Sequence, residues 1–139
     1  MKLKDLMTTQ VSYVSPASTC KDAARVMNDI NVGSVPVVDK DKLVGICTDR
    51  DIVLKCIAAG KDPATTAVKD CMTANPITGT PDMDAHQASD LMSQHQIRRL
   101  PVVDQGKLVG MVAIGDLAVT AIHQDEAGEA LSGISQGVH

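Results

Sequence analysis

The stretch Pro36-Val-Val-Asp-Lys-Asp-Lys-Leu-Val-Gly45 returns later in the chain as Pro101-Val-Val-Asp-Gln-Gly-Lys-Leu-Val-Gly110. Outward from this match, residues 4–58 align with residues 69–123 at a constant offset of 65 without a gap, and 17 of the 55 positions are identical. Such self-similarity indicates one supersecondary unit made twice, with each copy burying part of its apolar surface against the other. We expect a cleft between the two copies, and we expect the functional site to lie there.

Length and composition are typical of a soluble globular protein. The 139 residues suit one compact body, because two copies of about 60 residues would each be marginal alone. Hydrophobic residues make up 44% of the chain, and no apolar run is long enough to cross a bilayer, so we expect no membrane partner. Asp5 interrupts the apolar start of the chain too early for a signal-peptide core. These features predict a cytoplasmic location.

Charge and aromatic content argue against nucleic acid as a partner. The formal net charge is −4, whereas nucleic-acid binding rests on neutralising phosphates. Tyr13 is the single aromatic residue, so the chain lacks the aromatic platforms on which single-stranded bases stack. A purine ligand would have to lie mainly between aliphatic side chains.

Each copy is predicted to fold in the order β-α-β-β-α. Alternating apolar residues, turn residues and helix caps give the boundaries. In the first copy these are a strand over Val11–Val14, a helix capped by Thr19 and ending at Asn31, strands over Val35–Asp39 and Leu43–Thr48, and a helix from Asp49 to near Gly60. In the second they are a strand over Ile77–Thr80, a helix capped by Asp84, strands over Leu100–Asp104 and Lys107–Ala113, and a helix over Ile114–His123. We divide the chain into domains at residues 1–60 and 61–123, followed by a C-terminal tail at residues 124–139.

Cysteines and histidines do not form a recognisable site in the sequence. Cys20, Cys47, Cys56 and Cys71 show no C-x-x-C spacing and no Cys/His pair at ligand spacing. We expect them to be buried as small apolar side chains, with no metal site and no required cofactor. The four histidines share no spacing with a nucleophile or a carboxylate pair, so the sequence predicts no enzyme.

Both copies resemble CBS domains. The residues that carry the resemblance are Lys4–Thr8, Val32–Asp39 and Leu43–Ile52 in the first copy, and Ile97–Asp104 and Leu108–Leu117 in the second. The resemblance covers about residues 1–123 and is to a stand-alone bacterial CBS pair, and the Thr-Asp-Arg-Asp-Ile segment is similar to that of hypoxic-response-type proteins.

The resemblance implies a fold and a function. It implies an α/β (α+β) fold in which two CBS motifs pack in pseudo-two-fold symmetry around a central inter-repeat cleft. Such pairs bind adenosine-containing ligands such as AMP, ADP, ATP or S-adenosylmethionine, tend to form homodimers, and many act as sensors of a regulated protein partner rather than as enzymes.

Thr48 and Asp51 are the first candidates for a ligand site. A carboxylate at the start of a helix can accept hydrogen bonds from both hydroxyls of a ribose, and Thr48 matches the family's Ser/Thr-x-x-Asp pattern. The alternative is that both residues only cap the helix, which Asp and Thr favour anyway. In the second copy Asp116 matches Asp51 but Ala113 replaces Thr48. The two copies are therefore not expected to bind ligand equally.

Arg98 and Arg99 form the only adjacent basic pair in the chain. The resemblance places them where related pairs meet phosphate, and the planar guanidinium suits that role through bidentate hydrogen bonds. A surface ion pair is the alternative. Arg50 is a further ligand candidate or a solvated helix residue. Tyr13 and its counterpart Thr78 lie near the expected adenine pockets or are ordinary half-buried strand residues.

These observations predict a regulatory module that senses an adenine nucleotide or a related adenosyl compound. The alternative is a protein-interaction or structural pair with no ligand of its own. A thermal-shift panel separates the two, because a ligand that binds the native state raises its stability.

Overall fold

The computed structural model describes residues 1–118, which form two compact units. One unit is Ser12–Pro76, and the other combines Met1–Val11 with the chain from Ile77 onwards. The predicted tail and the last residues of the helix predicted over Ile114–His123 lie outside the described residues. The units are offset from the sequence repeats, because the segment that leads into each repeat belongs to the unit of the other repeat.

The unit Ser12–Pro76 is built on an antiparallel hairpin. Strand β1 pairs with β2 from Ser34 opposite Thr48 to Asp39 opposite Lys42, with a register shift between Val37 and Val38. A short strand β3 joins the other edge of β2, with Thr73 opposite Ile46. Its elements are α1 (Cys20–Ile30), β1 (Ser34–Asp39), β2 (Lys42–Thr48), α2 (Asp49–Asp51), a π-helical segment (Ile52–Ile57), a 3-10 turn (Val68–Asp70) and β3 (Thr73–Ala74).

The second unit repeats this hairpin. Its strands β4 and β5 pair from Arg99 opposite Ala113 to Asp104 opposite Lys107, with a register shift between Val102 and Val103. The shift falls at the same place as in the first hairpin, which confirms the repeat at the level of the backbone. The elements are a 3-10 turn (Leu3–Asp5), α3 (Ala85–His95), β4 (Arg99–Asp104), β5 (Lys107–Ala113) and α4 (Ile114–Ala118).

The first strand predicted in each repeat is shorter than expected. Instead of Val11–Val14, only Val14 pairs with Val37, and instead of Ile77–Thr80, only Gly79 pairs with Val102. Each pair sits at the register shift of the neighbouring hairpin. After Val14 the chain forms a turn, in which the Ser15 backbone N–H donates to Ser18 Oγ at 3.0 Å.

The helix caps form where the sequence predicts them. Thr19 and Asp22 make a reciprocal capping box on α1, and Asn31 ends that helix in the left-handed conformation at φ 57°. Asp84 Oδ2 accepts from the backbone N–H of His86 at 3.0 Å. Residues of positive φ connect the strands of both hairpins, as two-residue turns require: Lys40 (50°), Asp41 (69°), Gln105 (53°) and Gly106 (81°).

The helix predicted from Asp49 changes its hydrogen bonding after one turn. Backbone bonds then span five residues, from the N–H of Ala58 to Val53 O at 2.8 Å and from the N–H of Lys61 to Cys56 O at 2.9 Å. This π-helical segment buries Ile52 and Cys56 and leaves other apolar side chains exposed: Val53 (54%), Leu54 (47%) and Ile57 (52%). Among the described residues, no helix combines the length and the apolarity that a bilayer crossing requires.

A lead-in segment packs on a glycine of each hairpin. A Cβ on Gly45 would lie 2.7 Å from Met72 Sδ and 2.9 Å from the carbonyl oxygen of Thr73. A Cβ on Gly110 would clash with Met7 and approach a backbone oxygen in the same way. The absence of a side chain therefore allows the lead-in backbone to reach the strand.

Each unit has its own aliphatic core. Fully buried side chains of Ser12–Pro76 include Val35, Val37, Cys47, Cys56 and Val68. Those of the other unit include Leu3, Met92, Leu100, Val102 and Leu117. With no Phe or Trp in the chain, these cores depend on close packing of small and branched side chains.

We predict that Gly45→Ala lowers the free energy of unfolding by about 1–3 kcal/mol, because the new methyl group must displace the Thr73 backbone. Urea denaturation measures the change. Gly115→Ala is the matched control, because nothing lies within 4 Å of the position that its new methyl group would take. Equal stability of wild-type protein and the Gly45 variant would show that the close approach carries no packing constraint.

Candidate functional site

Thr48 and Asp51 lie at the junction of β2 and α2 and bond to each other. Thr48 Oγ1 accepts from the Asp51 backbone N–H at 3.0 Å, and Asp51 Oδ2 accepts from the Thr48 backbone N–H at 3.1 Å. This reciprocal pair is a capping box, so the capping interpretation describes the local geometry. The ribose role of the two residues stays a prediction.

The Asp51 carboxylate has two further partners. Lys55 Nζ lies 3.1 Å from Oδ1, and Thr73 Oγ1 donates to the carboxylate at 3.3–3.4 Å. The Asp51 side chain is only 10% exposed, whereas Lys55 is 48% exposed. A ribose that donated hydrogen bonds to Asp51 would have to replace Lys55 or Thr73 as a partner of the carboxylate. Both of these residues are exposed.

Thr73 was not among the sequence candidates. It stands 22 residues from Asp51 in the chain, and β3 carries it to the carboxylate. Thr73 is identical to Thr8 at the equivalent position of the other repeat, and this identity was the one sequence feature that could have indicated its role. The structure therefore adds a second hydroxyl to the pair predicted from the sequence.

The second repeat keeps half of this arrangement. Asp116 Oδ2 accepts from the Ala113 backbone N–H at 2.7 Å, as Asp51 does from Thr48. Ala113 has no hydroxyl to return the bond. The difference between Thr48 and Ala113 that the sequence shows is thus also a difference in hydrogen bonding.

The backbone of Arg98 and Arg99 lies at the same end of the second hairpin as Asp116. Arg99 opens β4 and lies opposite Ala113, while the backbone N–H of Ile114 donates to Arg98 O at 2.9 Å. The structure therefore brings the basic pair and this carboxylate into the same unit. Burial lowers the pKa of the Arg99 guanidinium from its ordinary value, although an arginine remains charged in proteins.

The same end of the first hairpin carries no arginine pair. Gly33 and Ser34 occupy the equivalent positions, with Ser34 opposite Thr48 and Gly33 O accepting from the backbone N–H of Asp49 at 3.0 Å. One unit thus offers hydroxyls around its carboxylate, and the other offers guanidinium groups.

The remaining sequence candidates are Tyr13, Thr78 and Arg50, which differ in their exposure. Tyr13 is 56% exposed, and Thr78 is partly buried. Arg50 is exposed, and its backbone N–H donates a hydrogen bond to Asp49 Oδ1 at 2.8 Å. A groove of about 390 Å³ in the unit Ser12–Pro76 includes none of the predicted ligand residues. Its lining consists of Ala24, Met27, Asn28, Asn31, Val32, Asp49, Ile52 and Val53.

All four cysteines are buried, as the sequence predicts. The structure adds that Cys20, Cys56 and Cys71 bring their sulfur atoms together, which no spacing in the sequence indicates. Burial raises the pKa of the Cys20 thiol, with a hydrogen bond to Cys71 acting in the same direction. Burial, and then the nearby Asp51 carboxylate, raise the pKa of the Cys47 thiol to about 12.

Comparison with known proteins identifies relatives over the whole described chain. The family model for the CBS domain matches residues 3–57 and 68–121. The CBS domain-containing protein YhcV of Bacillus subtilis is 51% identical over 138 residues, which cover 99% of this chain and 98% of YhcV.

Two solved structures extend the comparison to the fold. The crystal structure of Hypoxic Response Protein I with two coordinated zinc ions has a TM-score of 0.79 and 33% identity, covering 86% of this chain and 98% of that one. CBSX2 in complex with AMP has a TM-score of 0.75 and 28% identity, covering 89% and 98% respectively.

We predict that alkaline pH lowers the stability of the protein in part through Cys47. Its thiol has an ordinary pKa of 9.0 and a folded pKa of about 12. The neutral thiol therefore favours the folded state below pH 9, and this contribution is lost as the pH rises towards 12. Urea denaturation of wild-type protein and Cys47→Ala should show the stability difference falling by about 1–2 kcal/mol between pH 8 and pH 10.5. A difference that stays constant over this range would contradict the raised pKa.

Proposed function

The chain belongs to the CBS-domain family as a regulatory pair of CBS motifs, and we propose that it senses an adenosine-containing ligand. AMP, ADP, ATP and S-adenosylmethionine are the candidate ligands. The observation that carries the proposal is that β4 places Arg99 opposite Ala113, whose backbone N–H donates to Asp116, at the hairpin end where Arg98 also lies. The proposal assigns no catalytic step to the chain.

The Asp116 end of the second hairpin suits a nucleotide. A carboxylate accepts the two hydroxyls of a ribose, and its partly buried setting strengthens those hydrogen bonds. Arg98 and Arg99 supply guanidinium groups for a phosphate, which they can bind through paired hydrogen bonds.

The Asp51 end of the first hairpin suits a ribose without an arginine-bound phosphate. Thr48 and Thr73 add hydroxyls, and Lys55 is the cation on this carboxylate. The two ends therefore differ in their preference for charged and uncharged adenosine compounds. CBSX2, whose structure contains AMP, supports an adenosine ligand for a fold of this kind.

A protein-interaction role without a ligand is the second candidate. The observation in its favour is that Asp51 already has partners in Thr48, Lys55 and Thr73. A thermal-shift panel of AMP, ADP, ATP, S-adenosylmethionine and NAD separates the candidates. No shift with any of them at about millimolar concentration would favour the interaction role.

We also propose that the chain forms a homodimer and that Val53, Leu54 and Ile57 contribute to its interface. These side chains are about half exposed on one short segment, where burial in a partner would remove apolar surface from water.

We predict that Asp51→Ala and Asp116→Ala each weaken binding of adenosine and AMP at their own ends by about 2–3 kcal/mol, because ribose hydroxyls lose their acceptor. Arg98→Gln should instead cost about 1.5–3 kcal/mol for AMP only, because adenosine carries no phosphate. Isothermal titration calorimetry with the two ligands measures these effects.

Asp39→Ala and Asp104→Ala are the matched controls, since these exposed carboxylates also lie at equivalent positions of the two repeats. Affinities that remain unchanged in all the Asp51, Asp116 and Arg98 variants would remove these residues from the site.

Leu54→Lys should shift the protein towards monomer, because a charge would enter the proposed apolar interface. Sedimentation velocity compares this variant with Lys61→Glu, an exposed charge change outside the π-helical segment. A dimer of unchanged stability in the Leu54 variant would exclude this segment as the interface.

A further inference from the structure

Three buried thiols converge inside the unit Ser12–Pro76. The Sγ atoms of Cys20, Cys56 and Cys71 all lie within 4.8 Å of one another. Each of the three residues is 0% exposed. They come from three separate elements, namely the first residue of α1, the π-helical segment and the residue after the turn Val68–Asp70.

We propose that Cys20, Cys56 and Cys71 form a three-thiolate site for a soft d10 metal ion, with Cu(I) preferred over Zn(II). Each thiol that binds the metal gives its proton to solvent, so the copper stays Cu(I) and no oxidant or reductant is consumed. The proposal rests on these side chains alone and is independent of the adenosine ligand.

The spacing of the sulfur atoms fits a metal ion. Metal–sulfur bonds of about 2.3 Å around a trigonal ion put the sulfur atoms about 4.0 Å apart. The sulfur atoms lie within 4.8 Å of one another, so each has to move by less than about 1 Å to reach the trigonal geometry. Small rotations of the cysteine side chains supply such a movement without a change of backbone.

The number and kind of ligands select the ion. Thiolates favour soft cations such as Cu(I), whereas structural Zn(II) takes four ligands in nearly every case. The three cysteines are closed to solvent, which removes water as a ready fourth ligand. Near the cluster, the Cys56 thiol donates a hydrogen bond to the carbonyl oxygen of Lys61 at 3.6 Å. A neutral carbonyl oxygen is a poor ligand for a soft metal ion, so it does not supply a fourth ligand.

The local backbone gives Cys56 an unusual placement. Burial opposes loss of the Cys20 proton, so the metal–sulfur bond must offset that cost, together with the helix dipole at the start of α1. Cys56 lies in the π-helical segment, and π-turns are frequent at functional sites because they redirect side chains.

The fold does not need thiols at these positions. At the offset of 65 residues the equivalent positions are Ala85, Ala121 and Leu6, of which residue 121 lies outside the described range. Ala85 is buried and Leu6 partly buried, so ordinary aliphatic groups fill these places in the second unit. Three cysteines at three adjoining places in one compact unit are therefore better explained by a ligand than by packing.

Titration of the reduced, full-length protein tests the proposal. Under anaerobic conditions we expect about one Cu(I) per chain to be taken from its bicinchoninate complex, with no comparable uptake of Zn(II) from a zinc indicator. X-ray absorption of the copper-loaded protein should show only sulfur neighbours, about three at about 2.3 Å.

Single variants identify the ligands. Cys20→Ala, Cys56→Ala and Cys71→Ala should each weaken copper retention by more than about tenfold. Cys47→Ala is the matched control, because Cys47 is equally buried in the same core but lies outside the cluster, and it should retain copper. Far-ultraviolet circular dichroism checks that each variant is folded, and X-ray absorption of the wild-type protein decides the question if a variant is not.

Equal copper retention in the three variants and the control would overturn the proposal. Nitrogen or oxygen neighbours in the X-ray absorption spectrum would do the same. A higher affinity for Zn(II), with four ligands, would overturn the assignment to a three-coordinate ion.

Discussion

The close approach of a lead-in segment to a glycine organises both units. Gly45 leaves room for the Met72 side chain and the Thr73 carbonyl oxygen, and Gly110 leaves room for the Met7 side chain and the Thr8 carbonyl oxygen. This contact forms β3, and β3 brings the Thr73 hydroxyl to the Asp51 carboxylate. The same contact offsets the compact units from the sequence repeats, because each repeat receives the lead-in of the other. A side chain as small as a methyl group at either glycine would oppose it.

On this shared scaffold the two repeats carry different chemistry. Thr48 completes a capping box with Asp51, whereas Ala113 leaves the bond from Asp116 unreciprocated. Arginines replace Gly33 and Ser34 at the start of the second hairpin, and three cysteines cluster in the first unit only. Since the backbone positions are equivalent, we propose that these differences serve binding rather than folding. They are the reason to expect two ligands of different charge from one duplicated fold.

Local physical chemistry made much of this structure predictable from the sequence. The capping box at Thr19, the positive-φ hairpin turns and the Thr48–Asp51 junction all depend on residues a few positions apart. The features that escaped prediction depend on tertiary contacts: the single-residue pairing of Val14, the π-helical hydrogen bonding, the contact of Thr73 with Asp51, and the convergence of the cysteines. No spacing rule relates residues that only the folded chain brings together. The identity of Thr8 and Thr73 was the available hint, and its meaning required the folded structure.

A crystal structure of the protein grown with AMP tests the proposed adenosine site most directly. We expect the ribose hydroxyls to donate to the carboxylate of Asp116 and the phosphate to contact Arg98 or Arg99. AMP bound only in the groove lined by Met27 and other residues, or a structure with no AMP at a concentration that saturates binding in solution, would contradict this assignment.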